Sequence, residues 1–132
     1  MNQIVPRNEP KPAPAAYFTG QVSVLELITS PEPMSMSVFR VSFTAGARTA
    51  WHAHPQGQIL HVESGLGWFQ RDGEKTLEIK PGDTVYIPPL ERHWHGASAD
   101  RAMTHLAMQR LEDGVSVTWF EQVSDETYRR LS

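Results

Sequence analysis

Apolar residues come in short runs along this chain, and turn residues separate the runs. The runs at 22–27, 38–44, 66–71, 75–79, 84–87, 102–109 and 115–120 read as strands. Within 38–44, Phe39, Val41 and Phe43 fall on one face, because side chains of a strand alternate. Asp72-Gly73 between two runs marks a hairpin, and Pro81-Gly82-Asp83 and Asp113-Gly114 mark further turns. The pattern predicts an all-β sandwich or barrel. Helix is expected only at 124–131, where Ser124 can cap, Asp125 and Glu126 follow it, and Arg129 and Arg130 lie at the far end. Residues 1–16 carry Pro6, Pro10, Pro12 and Pro14, which predicts an extended arm, either free or laid along a neighbouring subunit. That leaves 17–132 as the folded domain.

The candidate chemistry sits in two spaced segments. The first runs Gly46, His52, His54, Gln58, Gly65, and the second runs Gly82, Pro88, His93. His52 and His54 are two apart, so in a strand they point the same way and can share one ion. Gln58 and His93 can join them because a barrel brings distant inward positions around one interior. His61 lies an odd number of positions from both histidines and is expected to face solvent.

With 132 residues the chain is one domain with room for a real core. A net charge of -3 with scattered Lys and Arg argues against nucleic acid or an anionic membrane as partner and favours a small-molecule substrate. No cysteine is present, so a metal must be held by imidazole and oxygen. No stretch is long and apolar enough to span a bilayer and the first residues lack a secretion signal, so a cytoplasmic location is expected.

The two segments resemble the two motifs of the cupin superfamily over about residues 17 to 123. The resemblance implies a single-domain cupin β-barrel of jelly-roll type with metal ligands His52, His54, Gln58 and His93. Gly46 to His54, His93 to Ala97 and Met103 to Gln109 look like the small bacterial manganese-dependent hydroxynitrile lyases. That group implies lyase chemistry: cyanohydrins interconverted with an aldehyde or ketone and hydrogen cyanide, with Mn(2+) as cofactor. The ligand types alone equally suit Fe, Co, Ni or Zn. General cupins carry glutamate at Gln58, glycine at Leu90 and asparagine at Ala97. Gln58 matches the lyase group, and Leu90 is expected to make its turn with an ordinary φ.

Three neutral imidazoles and a carboxamide leave a divalent ion its full charge, which makes a stronger Lewis acid than a glutamate-bearing site. His95 shares the face of His93 and is a fifth ligand or a proton carrier. His105 and Gln109 share another face, His105 as acid and base, Gln109 as hydrogen-bond donor to substrate; the structural alternative is that one or both histidines are buried and hydrogen-bonded and only orient others. Phe39 and Val41 are expected at the pocket, Phe43 in the core, and Met103 and Met108 in packing roles. Trp51 and Trp94 are expected to pack beneath a second sheet or at a subunit contact. Two other readings remain open: a metal-dependent cupin dioxygenase, and a non-catalytic cupin that binds a small molecule. A homo-oligomer, dimer or tetramer, is compatible with the arm.

Overall fold

The structure, a computed structural model, describes residues 4–130. In chain order the strands are β1 (Lys11–Pro12), β2 (Phe18–Thr19), β3 (Val22–Thr29), β4 (Met36–Phe43), β5 (Arg48–Thr49), β6 (His52–Ala53) and β7 (Gln58–Gly65). They continue with β8 (Gly67–Arg71), β9 (Leu77–Ile79), β10 (Thr84–Ile87), β11 (His93–Ala97), β12 (Met103–Arg110) and β13 (Thr118–Trp119), followed by α1 (Asp125–Arg129). The fold is all-β, as expected, with two sheets and one short C-terminal helix among the described residues. No described helix is long and apolar enough to cross a membrane.

One sheet runs β1-β3-β4-β12-β7-β10, and the second runs β13-β6-β11-β5-β2 with β8 and β9 attached beside β11. The pairs that define both sheets are antiparallel, so alternate residues of each long strand enter the space between the sheets. Val41, Phe43, Leu60, Val62, Phe69, Ile79, Ile87 and Met103 fill part of that space as the core. The rest of the interior is polar, and there the same alternation delivers the histidines.

Two glycines mark where backbones must touch. A Cβ on Gly96 of β11 would lie 2.6 Å from the Cα of Arg48 in β5, and Gly65 turns at φ +84 against the Ala102 carbonyl. Only glycine meets both requirements without displacement.

A second core lies outside the barrel. Trp51, Trp68, Trp94, Val123 and Tyr128 pack together, so Trp51 and Trp94 sit beneath α1, away from the cavity. With five residues α1 is too short to persist alone and depends on its docking. Ser124 caps it by accepting from Thr127 N–H. Tyr128 donates to the Ala97 carbonyl at 2.7 Å, and buried Arg48 donates to the Val123 carbonyl at 2.8 Å and to Asp125 at 2.7 Å.

Three expectations change. Leu90 does not keep an ordinary φ: it adopts +65, the left-handed conformation that glycine takes at low cost, and its N–H donates to the His54 carbonyl at 2.9 Å. The run at 115–120 shortens to β13, with Val115 in an isolated bridge to Glu112. The arm neither hangs free nor needs a neighbour at residues 11–12, which pair as β1 with Val24 and Ser23 of β3 in their own chain. Positions 1–3 of the expected arm, position 131 of the expected helix and position 132 lie outside the described residues.

Candidate metal centre

Four strands carry the polar interior. β6 supplies His52 and leads into His54, β7 begins at Gln58, β11 carries His93 and His95, and β12 carries His105 and Gln109. Pairing of His93 with His52 across β11 and β6 sets two imidazoles side by side, their ring centroids 4.2 Å apart. His54 flanks both at 5.0 and 5.5 Å, and His95 flanks both at 5.2 and 5.6 Å. All seven side chains are buried. Ring nitrogens of His52, His93 and His95 lie within 4.8 Å of one another, a cluster that can hold a metal ion.

Backbone carbonyls determine which ring nitrogen faces inward. His52 Nδ1 donates to Ala50 O at 2.9 Å, His54 Nδ1 to Ser116 O at 2.6 Å and His93 Nδ1 to Glu91 O at 2.9 Å. A carbonyl only accepts, so each Nδ1 bears the proton and each Nε2 is left with a lone pair. Among the described residues, His54 Nε2 and His95 Nε2 are buried without a hydrogen-bond partner.

Gln58 has a comparable geometry. Its Nε2 donates to Gln109 Oε1 at 3.0 Å, and Gln109 Nε2 donates in turn to Ser37 Oγ at 2.7 Å. This chain aims Gln58 Oε1 at His93 Nε2, 3.2 Å away. Two acceptors facing each other at that distance repel unless a cation lies between them. The donor set therefore fits a divalent metal ion of the kind bound by imidazole and oxygen.

Burial also keeps the rings uncharged. It lowers the pKa of His52 well below the ordinary imidazole value, with the charges of His93 and His54 adding to the effect. Burial likewise lowers His54, takes His93 down to about 3 and His105 to about 4, and depresses His95 strongly. Neutral imidazole is the form that ligates a metal and accepts a proton.

His95 and His105 form a pair, with His95 Nδ1 and His105 Nε2 3.0 Å apart. They share a cavity of about 280 Å³ with His52, His54, Gln58, Gln109, Phe39 and Val41. His93 is not part of its lining and is fully buried, in contact with Gln58. Phe43 also stays out of the lining but touches both members of the pair, its ring 6.2 Å from His95 and 5.3 Å from His105. His61 is partly exposed on the outer face of β7 and bonds to Thr84 Oγ1 at 2.9 Å.

Sequence reasoning did not assign Trp119, Phe18, Thr49, Ser116 or the arm residues Pro12 to Pro14 to the site, and all of them line the cavity. The strand run at 115–120 marked an element there, but its pairing with β6 is a long-range contact without a local signal.

Comparison with known proteins identifies the family. A family profile described as "Cupin domain" matches residues 39–108. The chain is 52% identical over 117 residues to an (R)-mandelonitrile lyase of Granulicella tundricola, covering 89% of each protein. Among solved structures, a cupin-like protein from Thermotoga maritima superposes with a TM-score of 0.86 at 37% identity, covering 97% of this chain and 96% of that one. A polyketide cyclase from Streptomyces resistomycificus shares the fold alone, with a TM-score of 0.72 at 19% identity over 97% of this chain and 91% of that one.

Proposed function

The chain belongs to the cupin domain family, and from that premise we propose that it is a metal-dependent hydroxynitrile lyase that interconverts cyanohydrins with an aldehyde or ketone and hydrogen cyanide. The observation that carries the reading is the set of inward Nε2 lone pairs, each oriented by a backbone carbonyl, beside a hydrogen-bonded pair of neutral histidines in an otherwise apolar cavity. In this reading His52, His54 and His93 through Nε2, and Gln58 through Oε1, hold a divalent cation, Mn(2+) by family resemblance. Such a cation supplies Lewis acidity to an oxygen bound beside it.

The protein's own groups do the rest. The His95–His105 pair accepts the proton of the cyanohydrin hydroxyl. As the carbonyl forms, the bond to the nitrile carbon breaks and its electron pair leaves with cyanide. The imidazolium then returns the proton to cyanide, so hydrogen cyanide departs and the pair is neutral again. Gln109 cannot orient freely, because its amide is held between Ser37 and Gln58, and its place in the lining suits a neutral contact to substrate. Phe39 and Val41 supply apolar wall. Exposed Ile59 and Tyr86, paired across β7 and β10, support an assembly of two or four copies.

The test is to purify the protein, determine its bound metal, and measure cyanide release from an aromatic cyanohydrin with and without air. Release is expected to be independent of oxygen and to be lost in His52→Ala and in His105→Ala. No release, equal release by all three proteins, or a requirement for oxygen would each reject the assignment.

A further inference from the structure

The N-terminal arm is built into the cavity. Pro12, Ala13 and Pro14 line it, and the segment is tied at both ends. Ala13 N–H donates to Val22 O at 2.9 Å, and Ala50 N–H donates to Tyr17 O at 2.8 Å. Gln122 clamps the part between, its Nε2 donating to Ala15 O at 3.1 Å and Ala16 O at 2.8 Å, while Thr19 donates to its Oε1 at 3.2 Å.

The tie brings Tyr17 onto Trp119. Their rings are stacked, with centroids 4.7 Å apart and planes within 10°. Trp119 also meets Phe18 at 5.6 Å and His52 at 4.9 Å, and both Trp119 and Phe18 line the cavity. The indole thus lies between the arm and a site histidine, on the same segment whose Ser116 carbonyl orients His54.

Resting on the lyase reading above, we infer that Trp119 is a specificity-determining residue that selects aryl over alkyl cyanohydrins, and that Tyr17 is a positioning residue that holds the indole against the cavity. The cavity has two chemical halves. Histidines and glutamines provide the polar one, whereas Trp119, Phe18, Val24, Phe39 and the arm prolines provide an apolar one. A ligand's non-reacting body must occupy the apolar half. A flat ring gains face or edge contacts with an indole beyond the area it buries, which a saturated ring of the same skeleton does not. Because Tyr17 already holds the indole, little further ordering is needed on binding.

The experiment compares kcat/KM for the cyanohydrin of benzaldehyde with that of cyclohexanecarbaldehyde. Trp119→Leu is expected to lower the aryl-to-alkyl ratio by about five- to tenfold. Tyr17→Leu shifts the ratio the same way by less, and Tyr17→Phe, which keeps the stack, restores it. An unchanged ratio in Trp119→Leu overturns the inference. If that variant does not fold, the Tyr17 pair decides, and a ratio equal in Tyr17→Leu and Tyr17→Phe overturns it. Binding of benzaldehyde to the purified protein gives an independent readout. Should the protein cleave no cyanohydrin, the lyase reading fails by itself, and the wall stands only if Trp119→Leu weakens benzaldehyde binding by a similar factor without weakening cyclohexanecarbaldehyde.

Discussion

His95 Nδ1 and His105 Nε2 lie 3.0 Å apart, one donating to the other, while His95 Nε2 is buried without a hydrogen-bond partner and a ring nitrogen of His95 lies within 4.8 Å of ring nitrogens of His52 and His93. His95 is therefore the link between the ligand cluster and His105, and removing each partner has a different consequence. His105→Ala leaves every candidate ligand in place, so bound metal per chain is expected to be unchanged while kcat falls by about 10²- to 10⁴-fold. His95→Ala separates two roles: retained metal with lost turnover makes His95 a proton carrier, and lost metal makes it a ligand. Elemental analysis beside steady-state kinetics reads both. Loss of metal in His105→Ala would contradict the arrangement.

Metal removal is expected to destabilise the protein as well as silence it. A ligand held at about a thousand times its dissociation constant contributes about 4 kcal/mol to the folded state, and the buried His54 Nε2 left behind has no other partner. Dialysis against a chelator should lower the thermal midpoint, and returning the metal should restore both midpoint and activity. His52→Ala and His54→Ala should show the low midpoint regardless of added metal. A midpoint insensitive to chelator in the wild-type protein would remove the metal from this account.

Acid stability of the metal-free protein follows from burial of the same rings. Burial lowers His105 to about 4 and His93 to about 3, against an ordinary value of 6.5. Above the ordinary value the rings are neutral in both the folded and unfolded chains, so stability there does not depend on them. As pH falls below it, the unfolded chain takes up protons that the folded chain refuses. Each such histidine then costs up to about 1.4 kcal/mol per pH unit until its folded value is reached. Urea midpoints of the metal-free protein should decline from about pH 6.5 to about pH 4 and stay level above about pH 7 as far as these groups are concerned. His105→Gln should flatten the decline, and an unchanged slope would show that His105 is not the cause.

Much of the site was legible because strand alternation is a local property. His52 and His54, His93 and His95, and His105 and Gln109 are pairs two or four apart, so once one member faces inward the other must. β7 is different. Inward Gln58, Leu60 and Val62 alternate with outward Ile59, His61 and Glu63, and a polar residue inside with an apolar one outside hides the period. Trp119, the arm and Ser116 were not legible for another reason. Their places depend on which distant strand they pair with, and no spacing within 115–120 specifies β6 as that partner. The loop before His93 was misjudged because a turn's φ was inferred from residue type, whereas neighbouring hydrogen bonds hold Leu90 at +65.

Leu90→Gly is a consequence of that conformation. The side chain is 74% exposed and contributes little burial, while its left-handed backbone is unfavourable for any residue with a Cβ, by roughly 1–2 kcal/mol. Glycine relieves that cost but adds freedom to the unfolded chain, so the net gain is expected to be about 0.5–1 kcal/mol, read as a higher urea midpoint.

Gln58→Glu tests what the neutral ligand contributes. A carboxylate would cancel one unit of charge at the cation and hold it more tightly, lowering its Lewis acidity. It would also lose the donor that Gln58 Nε2 presents to Gln109 Oε1, leaving two acceptors opposed where the wild type has a 3.0 Å hydrogen bond. Gln109 can relieve that opposition only by turning its amide, which gives up the 3.3 Å bond its Nε2 donates to the Ser37 carbonyl and reverses its 2.7 Å bond to Ser37 Oγ, the hydroxyl then donating. Tighter metal binding with a kcat reduced about tenfold or more is therefore expected. Adding Ser37→Ala should cost Gln58→Glu and the wild type different amounts, because the Ser37 hydroxyl accepts from Gln109 in the wild type and would donate to it in the variant. Additive effects of the two substitutions would mean that the Ser37–Gln109–Gln58 chain does not orient the ligand.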